Sequence, residues 1–230
     1  VATPELLRYF YNKKLMKTRS FSWKDLPKLY DEYDKAEDIY FDKMELENER
    51  EKAHIKRLFE VAQLEKPIKH DIHIPYDFAS MIAQIIPEND LEKALKLLKR
   101  TGHVEDKINE LDRKELELRF RLAKIWAERY APEEHRIRLL DKPSEEILSK
   151  LSGKQKTALK FLSKDLEKES FTEKSLYMKF FDIARKMNLE PKELFKAAYL
   201  ILIGKEFGPR LSPFILAIGK EDVAKKFSAV

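Results

Sequence analysis

The sequence has no cysteine, which excludes disulfides and thiolate-bound metals outright. Its five glycines form no phosphate-cradling loop, and neither a Gly-x-Ser-x-Gly elbow nor a His-Glu-x-x-His pattern occurs. Nothing in it looks like a catalytic centre. Long apolar runs are missing as well. The two most apolar stretches, Ala197–Ile203 and Phe214–Ile218, fall far short of the roughly 20 residues that a membrane span requires. No basic–apolar–small-residue pattern follows Val1, so no signal peptide is expected. Asparagine and glutamine are scarce beside lysine, glutamate and isoleucine, a balance that fits a heat-tolerant cytoplasmic protein. The charge is not lopsided either, and a net +5 is too modest to demand a polyanionic partner by itself.

The distribution of that charge says more. Residues 1–24 carry Arg8, Lys13, Lys14, Lys17, Arg19 and Lys24 against a lone Glu5, with Tyr9, Phe10, Tyr11, Phe21 and Trp23 interleaved. Aromatics among cations suit base stacking and phosphate contact, although such aromatics by default fill a core. Lys13, Lys14 and Arg19 are therefore one candidate nucleic-acid contact. The chain opens directly on a helix start, Thr3 then Pro4, from which a piece of something longer is expected.

A chain of 230 residues can bury one large or two small cores, and 38% charged residues imply a densely ionic surface. Almost every segment carries the apolar period of a helix, and neither a strand nor a fixed repeat emerges, so the fold class is all-α. Ser22 with Asp25 resembles a capping box opening a helix to about Phe41. Met44–Gln63 reads as a solvated helix. Pro67–Pro75 reads as a plain surface loop, because His70 and His73 lack further Cys or His ligands nearby. Pro75–Ile86, Asp90–Leu98 and Asp112–Tyr130 follow as helices. Ser152 with Gln155 forms a second capping box, on Gly153–Leu166, and Thr172 caps a helix to Met187. The chain ends in a turn through Phe227.

Leu194–Gly219 organises the rest. Pro191 suits a first helical turn, and Gly204 stands where a left-handed cap belongs. Ser212 is the expected cap of the next helix, with Pro213 after it and Gly219 at its end. Both helices are apolar on all sides and must be buried. The loop Lys205–Arg210 is thus clamped between two buried elements, which makes it a place for function. Lys205, Phe207 and Arg210 are its candidates, with Arg129, His135, Arg136 and Arg138 beyond the long helix as possible neighbours. Gly208 permits an unusual backbone angle there. Arg210 either reads a base edge or stacks on an unpaired base, or else satisfies helix-end carbonyls or pairs with Glu206.

LFKAAYLILIGKEFGPRLSPFILAIG at Leu194–Gly219 closely resembles the C-terminal end of class I lysyl-tRNA synthetases. PELLRYF at Pro4–Phe10, DEYDKAEDIYF at Asp31–Phe41, DFASMIAQIIP at Asp77–Pro87 and IWAERYAPEEHRIRL at Ile125–Leu139 agree with it in the same order. The resemblance implies a stem-contact region over 1–45, the first part of an α-helix cage over 46–150, and the anticodon-binding end of that cage over 151–230. It implies tRNA(Lys) as partner, with a U-rich anticodon because lysine codons are A-rich, and neither DNA nor membrane. The family's HIGH-like and KMSKS-like motifs are not in this sequence, which by analogy begins just after the latter. No catalytic residue, metal ligand or cofactor is therefore expected here, and ATP and Mg belong to the full-length enzymes that ligate lysine to tRNA. Two other readings stay open: a helical protein-interaction module, and the anticodon-binding part of a glutamyl-tRNA synthetase.

Overall fold

The computed structural model describes residues 1–14, 16–86, 90–105 and 107–230, and every regular element among them is helical. In chain order these are α1 (Pro4–Asn12), α2 (Leu26–Tyr40), α3 (Glu49–Ala62), α4 (Tyr76–Ile85), α5 (Leu91–Arg100), α6 (Glu110–Arg129), α7 (Glu145–Ser149), α8 (Gly153–Lys168), α9 (Glu173–Lys186), α10 (Pro191–Ile203), α11 (Leu211–Ile218) and α12 (Lys220–Ser228). Two short 3-10 turns add to them, Trp23–Asp25 and Glu133–His135. The all-α expectation is met. The helices divide between two compact units, residues 1–83 with 107–132 and residues 84–106 with 133–230.

The first unit gathers α1, α2, α3, most of α4, and α6. The Thr3 hydroxyl caps α1, accepting from the Leu6 N–H at 3.3 Å. Ser22 makes no cap bond, and the expected capping box is replaced by the 3-10 turn. Tertiary contacts override local preference there. The Trp126 indole donates to the Trp23 carbonyl at 2.7 Å, and the Trp23 ring lies 4.5 Å from that of Tyr130. The next helix begins at Glu49 rather than near Met44, because the Asn48 side chain accepts from the N–H groups of Arg50 and Glu51 and fixes the start.

The centre of this unit is polar. Arg119, 4% exposed, makes a two-pronged pair with buried Asp34 and donates to the Ile74 carbonyl at 2.8 Å. Its guanidinium lies 5.4 Å from the Tyr30 ring, which stacks on Tyr76 at 4.2 Å. The His70–His73 segment is not the plain surface loop expected of it. The Glu37 carboxylate accepts from the His70 backbone N–H at 2.9 Å and meets its ring at 3.0 Å. The His73 ring lies 3.2 Å from Asp38 and 3.6 Å from Glu37, close but not aligned for hydrogen bonds.

The second unit is built on α10, where Leu194 and every residue from Ala197 to Ile203 are buried. Beside it α8 packs along α12, and the buried Ser163 hydroxyl donates to the Ala224 carbonyl at 2.8 Å. The Ser152–Gln155 capping box is formed, with bonds of 2.8 and 3.2 Å. Thr172 caps α9 as expected, with Ser175 reciprocating. Gly204 ends α10 at φ +70°, the left-handed cap. Ser212 is not the cap of α11. That helix starts at Leu211 with Arg210 in the cap position, its carbonyl accepting from the Phe214 N–H at 3.1 Å, and the Ser212 side chain is buried in the first turn. Pro213 fits that turn because its missing N–H would have had no partner anyway. The terminal turn expected through Phe227 is a full helix, α12.

Ala217 is 4% exposed within the buried, apolar α11, so Ala217→Asp takes a carboxylate out of water and should unfold or badly loosen the second unit, read as a collapsed thermal transition at neutral pH. In the first unit the hydrogen bond to Glu37 holds His70 above the ordinary imidazole value, against the pull of burial. Burial would raise Glu37, but the bonds from His70 outweigh it and hold the carboxyl below its usual range. The His70 contribution is fully present below about pH 6.5 and is lost as pH rises through its raised value. The Glu37 contribution is present above about pH 4.5 and is lost as pH falls through its lowered value. The destabilisation caused by His70→Ala, measured by urea melts, should thus be larger at pH 5.5 than at pH 9. An equal loss at both would show that the pair carries no such linkage.

Candidate nucleic-acid interface

The loop between α10 and α11 is held at four points. Lys205 donates through Nζ to the carbonyls of Glu133 at 2.6 Å and Arg136 at 2.9 Å, and meets the Glu133 carboxylate at 3.2 Å. Glu206 pairs with Lys196 of α10 at 2.9 Å. The Tyr199 hydroxyl donates to the Pro209 carbonyl, and burial pushes that phenol up to about 12. Arg210 pairs with Glu173 at the start of α9.

Gly208 is required for space rather than for backbone angle, since its φ is not positive. A Cβ there would lie 2.9 Å from Ile203 Cδ1 and 3.1 Å from the Tyr199 ring. The backbone lies flat on that tyrosine. Gly204 is also crowded, a Cβ meeting Leu140 at 3.3 Å. Two side chains leave this pinned loop for solvent: Phe207, 63% exposed, and Arg210, whose side chain is 83% exposed. An exposed aromatic and an exposed guanidinium on a fixed backbone can stack on and hydrogen-bond an unpaired base at small entropic cost.

The other candidates fall differently. The Lys205 ammonium is engaged by carbonyls of its own chain, so it shapes the loop. Arg136 belongs to the same unit and reaches Glu133 at 3.9 Å. Arg129 is exposed at the end of α6, in the first unit. In the N-terminal stretch Lys13 pairs with Glu32, and Arg19 donates to the Phe10 carbonyl at 2.5 Å while covering the Phe10 ring at 4.1 Å. Lys14 is exposed and has no ion pair among the described residues. Tyr9 is core, whereas Tyr11 is 53% exposed.

Sequence reasoning missed the residues that fasten the site. Gln84 donates to the His135 carbonyl at 3.1 Å and accepts from Ile137 N–H at 2.8 Å. Lys226 donates to the carbonyls of Leu140 and Asp141. Their partners lie more than fifty residues away in sequence, beyond any local pattern. Tyr177, Phe181 and Phe195 also form a partly exposed aromatic cluster, with ring centroids 4.8 to 6.0 Å apart, on α9 and α10. Their helical spacing reads equally as core.

Comparison with known proteins bears on both ends of the chain. Residues 1–65 match the family model described as tRNA synthetases class I (K), and residues 134–230 match the one described as Anticodon binding domain. The lysine–tRNA ligase of Methanocaldococcus jannaschii is 34% identical over 238 residues, covering 99% of the chain and 44% of the relative. That of Thermococcus kodakarensis is 34% identical over 232 residues, covering 98% and 43%. That of Borreliella burgdorferi is 36% identical over 227 residues, covering 95% and 41%. The chain spans less than half the length of these curated relatives.

Tyr199 tests how the loop is held. Tyr199→Phe keeps the ring under Gly208 and removes only the bond to the Pro209 carbonyl. The second unit should lose about 0.5–1.5 kcal/mol in denaturant melts, and the amides of residues 205–210 should exchange faster. Unchanged exchange would mean that packing alone fixes the loop.

Proposed function

The chain belongs to the class I lysyl-tRNA synthetase family, matching its C-terminal part, and we propose that it is the tRNA-gripping portion of a lysine–tRNA ligase whose 205–210 loop touches the anticodon. The observation that carries this is a coincidence of two kinds. The segment matching an anticodon-binding domain, 134–230, contains the loop that Lys205, Glu206 and Tyr199 pin and that still presents Phe207 and Arg210 to solvent. The Arg210 guanidinium is largely exposed and held by the single carboxylate of Glu173, so a base edge can compete for its remaining donors. Phe207 offers a stacking face that every base can use.

Within this reading residues 1–45 contact the stem of the tRNA, 46–150 form the first part of the helical cage, and 151–230 read the anticodon. The tRNA-contacting residues are Phe207 and Arg210 at the loop, Arg136 and Arg129 as further phosphate contacts, and Lys13, Lys14 and Arg19 towards the stem. Lys205 acts by fixing the loop. The cognate partner is tRNA(Lys) with its U-rich anticodon, read by splaying and stacking unpaired bases. The whole enzyme activates lysine with ATP and Mg and esterifies the tRNA end in the cytoplasm. Among the described residues no group of three or more His, Asp or Glu is placed to hold a metal ion, and no helix is long and apolar enough to cross a membrane.

Binding to several purified tRNAs at controlled salt tests the proposal. Tighter binding of tRNA(Lys) supports it, equal binding of all tRNAs favours a general docking module, and preference for tRNA(Glu) favours the sister specificity. Arg210→Ala should weaken cognate binding by roughly 1–3 kcal/mol and reduce discrimination at the contacted base. Phe207→Ala should cost about 1–3 kcal/mol with little sequence dependence. Both side chains are exposed, so melting temperature should hardly move. A lower melting temperature with unaltered affinity of the folded fraction would remove the residue concerned from the site.

A further inference from the structure

We propose that a cleft between the end of α1 and the start of α2 binds one phosphodiester unit of RNA, with Lys28 as its principal cation. The inference rests on the reading that the chain binds tRNA, and deepens the N-terminal part of it by adding Lys28 and a defined cleft to the basic–aromatic stretch. The cleft encloses about 240 Å³. Its apolar side is formed by Phe10, Phe21 and Leu29, the two rings meeting edge to face at 5.6 Å. Its polar side carries Lys13, Arg19 and Lys28, together with Asp25, Glu32 and the hydroxyls of Ser20 and Ser22.

These charges are not equivalent. Lys13 and Glu32 neutralise each other. Arg19 is held in place by the Phe10 carbonyl and ring, which leaves the rest of its guanidinium fork to donate. Lys28 is exposed and has no ion pair among the described residues. Arg19 and Lys28 against Asp25 leave one net positive charge, the complement of one backbone phosphate. The Ser22 hydroxyl makes no cap bond to the turn that follows and is available as a further donor. An apolar side next to a cationic rim suits a sugar–phosphate unit, whose ribose carbons can pack on Phe21 and Leu29 while its phosphate meets the cations.

The experiment measures tRNA affinity of the 230-residue chain as a function of salt, for the parent, Lys28→Ala and Lys66→Ala. Lys66 is an exposed lysine of the same unit outside the cleft, so it controls for the loss of one charge. Lys28→Ala should bind roughly 3- to 10-fold more weakly at 0.1 M salt, with the slope of log affinity against log salt reduced by about one. Lys66→Ala should match the parent. A Lys28→Ala slope equal to the parent's overturns the inference while leaving tRNA binding intact. A parent that binds no tRNA overturns the underlying reading, and the inference with it. A lowered melting temperature in Lys28→Ala makes the lysine structural and also overturns it. Saturable binding of adenosine 5′-monophosphate alone, lost in Lys28→Ala, would assign the cleft to free nucleotides instead of RNA.

Discussion

The C-terminal half of α10, Ala197–Ile203, has no face that tolerates water, and the second unit is arranged around that constraint. Fully burying a leucine or isoleucine side chain contributes about 1.5–3 kcal/mol. A run of eight buried residues from Leu194 and Ala197 to Ile203 therefore outweighs any surface pair in the molecule. α8, α9 and α12 supply the surrounding protein, and the chain leaves α10 where that covering permits. Gly204 turns it back in a left-handed conformation. The Leu202 carbonyl, left without a helical partner by that turn, accepts from the Leu140 N–H at 2.9 Å. Residues 137–141 are thereby drawn against the helix end. The position of the 205–210 loop is thus a consequence of burial upstream and downstream, and the polar contacts of Lys205 and Tyr199 refine it.

The first unit solves a different problem. Residues 66–75 contain no regular element, so their backbone donors have no ladder or helix to satisfy them. Carboxylates from elsewhere do so: Glu37 accepts from His70, Asp112 from Asp71 at 2.9 Å, and Asp31 from the Tyr76 N–H at 3.2 Å. Buried carboxylates need a counter-charge, and Arg119 provides it for Asp34 while also binding the Ile74 carbonyl. Burial pushes the neighbouring Glu115 carboxyl up, against the pull of Arg119. Such a centre adds little net stability over an apolar one, because desolvation offsets the attraction. What it does fix is register. Arg119 on α6 meets Asp34 on α2 and the 66–75 segment in only one arrangement.

The features legible in the sequence were those whose causes are local. Gly204, the Ser152–Gln155 box, the Thr172 cap and the all-round burial of Ala197–Ile203 each depend on residues within one or two turns. Ser22 and Ser212 were equally plausible caps by the same rules, and both failed. Trp23 is anchored by Trp126, and α11 begins two residues earlier than expected, with Ser212 buried in its first turn. His70 and His73 read as solvent-facing since the acids that receive them lie on α2, more than thirty residues away. In the loop, Phe207 and Arg210 are exposed. Lys205 is held by carbonyls about seventy residues earlier, which leave no trace in local sequence. Gly208 was recognised as special for the wrong reason: the steric demand comes from Tyr199, one helix turn before the loop.

Counting cations therefore overstates the surface available to a polyanion. Lys13 and Lys205 rank as candidates by sequence, yet each is bound to a carboxylate or to carbonyls of its own chain. A lysine that already satisfies two carbonyls would have to leave them polar and unpaired in order to reach a phosphate. That loss is comparable to what a new bond to the phosphate returns. Arg210 differs because its guanidinium is largely exposed and meets the single, partly buried carboxylate of Glu173, so the other donors of its fork remain available to a base. Lys14 and Lys28 differ because no acid holds them. At physiological salt, charges more than about 8 Å apart are largely screened, so a phosphate responds to these few uncommitted groups rather than to the net +5. In a chain this rich in both signs, the binding surface is set by which cations the fold leaves unused.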